Sequence, residues 1–179
     1  METFSRFVKR VVRVFNRSGL EYMFTGALAS SYYGRARTTL DADIVLAAQA
    51  DDLTALAKLL TEAGLKARKD KLEAAWKSDY RIVTIEDEKT PHTLDIIFRN
   101  KRLDRNPGRI MGLETYFEPA DSLILAKLRM IKATVDPARA ANDREDIKVI
   151  LENTTIDLKW LQEKARTEST SKILADLIS

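Results

Sequence analysis

The stretch GALASSYYGRARTTLDADIVL, Gly26 to Leu46, decides how this 179-residue chain is read. Its end is strand-like: Ile44, Val45 and Leu46 form the continuous apolar run of a strand buried on both faces. Residues two apart on a strand point to the same side, so Asp41 and Asp43 bring both carboxylates to one place. Two like charges so close are costly without a counter-cation. Hard oxygen ligands of this kind suit Mg²⁺ (or Mn²⁺), which keeps waters and substrate phosphates as its other ligands. Ahead of the acids, Thr25-Gly26 reads as a turn and Ala27–Tyr33 as a small-residue helix closed by Gly34. A glycine at a strand-to-helix turn lets backbone N–H groups approach a phosphate.

A third acid stands in another strand-like run, Thr93-Leu94-Asp95-Ile96-Ile97-Phe98. Aspartate suits strands poorly, and a charge among apolar neighbours needs a partner or a metal. If this strand lies beside the Asp41 strand, three carboxylates converge. That is a site for two-metal phosphoryl transfer, with Asp95 as base or as second-metal ligand. Arg37, in the connector, reads either as a phosphate contact or as an exposed loop arginine. His92 falls three residues before Asp95 and so faces the other way, as a surface or structural residue.

Around this centre the chain alternates elements. Phe4, Phe7, Val8, Val11, Val12 and Phe15 recur at helical spacing, and Gly19 stops that helix. A strand is expected near 22–24 and a helix from Asp51 to Ala63, ended by Gly64. Strands at 80–86 and 92–98 form a hairpin around a polar turn. Residues 101–112 read as a charged loop, and 113–117 as a short last strand. After Pro119 only helical patterns remain, at 122–133, 140–151 and 156–166, with a weaker one to the C-terminus. The expected organisation is an α/β (α+β) core, residues 1–118, then a C-terminal helical region, 119–179.

Composition excludes several classes. There is no cysteine and a single histidine, so thiolate chemistry and a multi-histidine zinc site are ruled out. No apolar run approaches the roughly 20 residues of a membrane span, and the basic N-terminus lacks the apolar core of a signal peptide. A cytoplasmic protein without membrane association is expected. Net charge is +3, with 30 basic and 27 acidic residues. Basic residues gather at 66–71 and 99–109, where they could track phosphates or form a solvated surface.

The pattern Gly26-Ala27-Leu28-Ala29, then Gly34-Arg35-Ala36-Arg37-Thr38-Thr39-Leu40-Asp41-Ala42-Asp43, resembles the opening motif of the DNA polymerase β-type nucleotidyltransferase superfamily. It is most similar to the branch of abortive-infection-type nucleotidyltransferase toxins. Asp95 matches the third acid of that superfamily. Downstream, Ser122-Leu123-Ile124-Leu125-Ala126-Lys127-Leu128 resembles one helix of the branch, with Ser122 where an aspartate is usual. Asn142-Asp143-Arg144-Glu145-Asp146-Ile147 resembles another, with Asn142 for lysine.

The resemblance spans roughly residues 22 to 150. It implies a minimal nucleotidyltransferase fold, a mixed sheet flanked by helices, and a nucleoside triphosphate such as ATP as substrate, bound with Gly26, Ala27, Lys127 and Asp146. It implies a nucleoside monophosphate moved to a hydroxyl of tRNA or other RNA, a protein or a small molecule. It further implies a toxin role, with an antitoxin protein as partner. Ala27 stands where the family usually has serine or glycine, so a hydroxyl contact to phosphate is lost. Two rival readings follow: a noncatalytic nucleotide- or partner-binding module of the same fold, or a basic nucleic-acid-binding domain using the two clusters. On its own pattern, Lys127 could also be a core-edge lysine that snorkels to solvent.

Overall fold

A computed structural model describes residues 3–34, 36 and 38–179. They form two compact units: Met1–Leu28 with Thr38–Phe117, and Ala29–Arg37 with Glu118–Ser179. The segment 29–37, inside the expected first domain, thus groups with the C-terminal helices. No helix among the described residues is long and apolar enough to cross a membrane.

The first unit begins with α1 (Phe4–Ser18), whose apolar stripe of Phe7, Val8, Val11, Val12 and Phe15 is essentially inaccessible to solvent. Each such side chain contributes about 1.5–3 kcal/mol on burial. Gly19 caps the helix in the left-handed conformation, φ 71°. The sheet comprises β1 (Tyr22–Phe24), β2 (Asp41–Ala47), β3 (Ile82–Glu86), β4 (Thr93–Arg99), β5 (Asn106–Ile110) and β6 (Leu113–Phe117). Its order is β3-β4-β2-β1-β6-β5, with β2–β4 and β1–β6 parallel and the remaining neighbours antiparallel. This is the mixed sheet flanked by helices that the resemblance implies.

Two further helices belong to this unit: α3 (Leu53–Glu62), entered through a 3-10 turn at Ala50–Asp52, and α4 (Lys69–Lys77). The short α2 (Gly26–Tyr32) follows β1. His92 is buried, with its ring 5.2 and 5.3 Å from those of Phe4 and Phe7. It is structural and not a surface residue. Arg10 donates to the Ala63 carbonyl and to Asp87, whose side chain is fully buried and also accepts from Thr90 at 2.7 Å.

Two expectations change. Residues 101–112 contain β5, not only a loop. Pro107 and Gly108 argue against a strand, but β5 lies at the sheet edge, where proline leaves no ladder bond unmade. The 66–71 cluster runs into α4, whose burial of only Leu72 and Ala75 leaves a weak apolar stripe. Its cations pair with neighbours, Lys66 with Glu86, Arg68 with Asp70 and Lys69 with Glu73.

The second unit is helical: α5 (Ala120–Ala133), α6 (Pro137–Asn153), α7 (Leu158–Thr167) and α8 (Ser171–Ile178). Pro137 opens α6, and Asp136 caps it by accepting from Ala138 N–H at 2.9 Å. Leu123, Leu128, Ile147, Ile150, Leu161 and Leu174 are buried in this unit.

Candidate active site

The acids are placed by strand alternation. On β2, Ala42, Ile44 and Leu46 are fully buried, and on β4 so are Leu94, Ile96 and Phe98. With a period of two, Asp41, Asp43, Thr93 and Asp95 must take the opposite face. The parallel register then sets Asp43 directly across from Asp95, and Asp41 across from Thr93. On the far side of β4, Thr84 of β3 lies opposite Asp95. The two carboxylates that the sequence left on separate strands are therefore cross-strand neighbours.

The turn after β1 closes the other flank. Thr25 N–H donates to the Asp43 carbonyl at 3.0 Å. Gly26 follows with φ 57°, a conformation that L side chains rarely adopt. A Cβ at Gly26 would lie 2.9 Å from Asp43 Cγ and 3.2 Å from Asp43 Cβ, and closer still to Oδ2. Glycine is required here twice over, by the backbone angle and by the carboxylate it faces. Ala27 is buried.

The three acids differ in environment. Asp41 is exposed and accepts a 2.7 Å hydrogen bond from Thr93 Oγ1. Its N–H in turn donates to Thr39 Oγ1. Asp95 Oδ1 is buried with no hydrogen-bond partner. A buried, unsatisfied carboxylate oxygen is costly, and this one lies beside a second carboxylate. These features fit a hard divalent cation. Among the described residues no three acidic or histidine side chains converge closely enough to hold a metal alone. Mg²⁺ does not need such a cage, since one or two carboxylates plus substrate phosphates suffice.

Lys127 and Asp146 lie in the helical unit. Lys127 is buried, and its ammonium donates to Asp143 at 2.9 Å and Asp146 at 2.7 Å. Ser30 Oγ–H reaches the same Asp146 oxygen at 3.3 Å. Two carboxylates share one cation here, so Lys127 is an enclosed ion-pair centre and not a snorkelling edge residue. Arg37 lies outside the described residues. Two participants escaped the sequence reading. Thr93 could have been found, because it alternates with Asp95 on one strand. Asp143 was legible only as part of a weak helical motif.

No protein-family model matches the chain, and no curated protein is similar to it in sequence. Its fold is similar to that of an antigenic nucleotidyltransferase-like protein from Paracoccidioides brasiliensis, with a TM-score of 0.64 and 14% identity over 97% of this chain and 91% of that one. The solution structure of the antibiotic-resistance factor ANT(2'')-Ia gives a TM-score of 0.63 at 13% identity, over 98% and 97% of the two chains. A crystal structure of ANT(2'')-Ia with adenylyl-2''-tobramycin gives 0.64 at 11%, over 92% and 98%. The chain therefore has the fold of nucleotidyltransferase-like proteins, across nearly its whole length and theirs.

Proposed function

We propose that the chain is a metal-dependent nucleotidyltransferase that moves a nucleoside monophosphate from a nucleoside triphosphate to an acceptor hydroxyl. The observation that carries this reading is the pairing of Asp43 with Asp95 on the face of the sheet opposite Ile44 and Ile96, with Gly26 seated against Asp43 and an unsatisfied oxygen on Asp95. The likeness in fold to nucleotidyltransferase-like proteins supports it.

On this reading Asp41 and Asp43 hold Mg²⁺ or Mn²⁺, and Asp95 holds metal or accepts the proton of the attacking hydroxyl. The bound cation would neutralise phosphate charge and acidify that hydroxyl. The hydroxyl oxygen forms a bond to the α-phosphorus in line with the bond that breaks, and pyrophosphate leaves. Thr93 holds Asp41 in orientation through its hydroxyl. Gly26 keeps the backbone close without displacing Asp43. Most of the rate would come from positioning and charge neutralisation.

The acceptor is a hydroxyl compound. ANT(2'')-Ia, with its adenylyl-2''-tobramycin, offers a small-molecule precedent, and RNA or protein hydroxyls are the alternatives from the sequence motif. A toxin role with an antitoxin partner is the finer form of the proposal, and it requires growth arrest on expression that Asp43→Asn relieves. One observation favours a second, noncatalytic reading: Ala27 offers no hydroxyl to a phosphate. Calorimetry separates the two from a misread site. Mn²⁺-dependent binding of nucleoside triphosphate, lost in Asp43→Asn/Asp95→Asn, is expected. Binding indifferent to the double variant would sink the three-acid assignment.

A further inference from the structure

The helix α1 carries Arg6, Lys9, Arg10, Arg13 and Arg17 and no acidic residue. The whole chain sums to only +3, so this helix is a local concentration of positive charge on an otherwise slightly acidic molecule. These five cations, with Val14 and Ala63, line one surface cleft of about 520 Å³, and no acid is among its described lining residues. Arg10 is anchored by Asp87 and the Ala63 carbonyl. Arg6, Arg13 and Arg17 are exposed, and among the described residues none of them pairs with an acid.

The spacing is that of a ridge. Residues 6, 10, 13 and 17 recur at three and four, so they stack along one face, spanning about 16 Å of axis at 1.5 Å per residue. That is too long for a single small anion and fits several successive phosphates of one strand. The apolar face of α1 is consumed in the core, with Phe7, Val8, Val11 and Val12 inaccessible. An interfacial membrane helix needs such a face free to enter the bilayer, and α1 has none to offer. The alternation of β4 puts His92, and with it Phe4 and Phe7, on the side of the sheet away from Asp95. The ridge is thus separate from the acid face.

We propose that the outer face of α1 is a docking surface for the phosphate backbone of a structured RNA. The ridge itself reads only phosphate; the choice of RNA rests on the proposed reaction, for which RNA supplies acceptor hydroxyls. The contact is electrostatic and sequence-independent, so affinity should fall steeply with salt.

The test is fluorescence anisotropy of a labelled RNA hairpin over a salt series, with the full chain. In Arg6→Gln/Arg13→Gln/Arg17→Gln, the slope of log affinity against log salt should fall by about 3, and affinity near 0.1 M salt by roughly a hundredfold. The matching triple lysine variant should bind as the native chain does, which separates lost charge from lost fold. Asp43→Asn/Asp95→Asn should also bind normally, whatever becomes of its transfer activity. Unchanged binding by the glutamine variant overturns the proposal. So does loss of binding in the lysine or the acid-site variant, or adsorption to anionic vesicles in place of RNA.

Discussion

Replacing Gly26 by alanine tests the geometry of the site against a built-in control. Gly26 and Gly19 are both left-handed, at φ 57° and 71°, but a Cβ at Gly19 meets nothing within 4 Å. Alanine at either position takes on the left-handed penalty of about 1–2 kcal/mol. At Gly26 the new methyl also overlaps the Asp43 carboxylate, which must leave its rotamer at a further cost of about 1 kcal/mol. Gly26→Ala should therefore lower stability by about 2–3 kcal/mol and Gly19→Ala by about 1–2. For a chain of this size that is roughly 4–12 °C against 2–8 °C in thermal midpoint. Activity should separate the two far more sharply. A misplacement of about 1 Å in a group that positions the reaction costs on the order of a hundredfold. Pyrophosphate release should thus fall about a hundredfold in Gly26→Ala and hold within about twofold in Gly19→Ala. Equal activity losses in the two variants, or native activity in Gly26→Ala, would refute the claim that glycine is there for Asp43.

Other perturbations read other parts of the molecule. Thr93→Val keeps the branched shape suited to β4 but removes the hydroxyl on Asp41, so Mn²⁺ affinity measured by calorimetry should drop about tenfold with little change in melting; an unchanged isotherm would make that hydrogen bond incidental. Lys127→Met strands Asp143 and Asp146 in the interior and should cost about 3–5 kcal/mol in denaturant unfolding, whereas a loss under 1 kcal/mol would mean the pair is solvated. Burial works to raise the Asp87 carboxyl, but hydrogen bonds from Arg10 and Thr90 outweigh it and hold the group below its ordinary 3.8. Because the folded value is depressed, the stabilisation is complete above that ordinary value and drains away as pH falls through the lower one. Acid titration of stability should show this loss in the native chain and not in Asp87→Asn; parallel curves would contradict it.

How much of this was legible follows from what sequence patterns encode. The α1 stripe, the Gly19 stop and the alternation of β2 and β4 are local periodicities, and each appears where its period puts it. That Asp41 and Asp43 share a face follows from alternation alone. That Asp43 meets Asp95 does not, since it depends on β4 adding in parallel beside β2, a pairing across some fifty residues that no local pattern fixes. Strand β5 was hidden because Pro107 and Gly108 are breakers everywhere except at an edge. Helix α4 was hidden because its two buried residues make too narrow a stripe beside so many charges. The environment of Lys127 was equally out of reach: an i, i+4 pattern marks it as near the core, but only tertiary packing brings Asp143 and Asp146 onto its ammonium.

In the proposed function, Asp43 and Asp95 form the metal-dependent centre of a transferase. The most direct measurement incubates the chain with nucleoside triphosphates labelled at the α-phosphate, Mg²⁺, and a mixture of total RNA, aminoglycoside and protein acceptors, beside Asp43→Asn/Asp95→Asn. Label on one acceptor class is expected with matching pyrophosphate release, both reduced by at least about a thousandfold in the double variant. Transfer that persists in the double variant, or no transfer by the native chain to any acceptor, would contradict it.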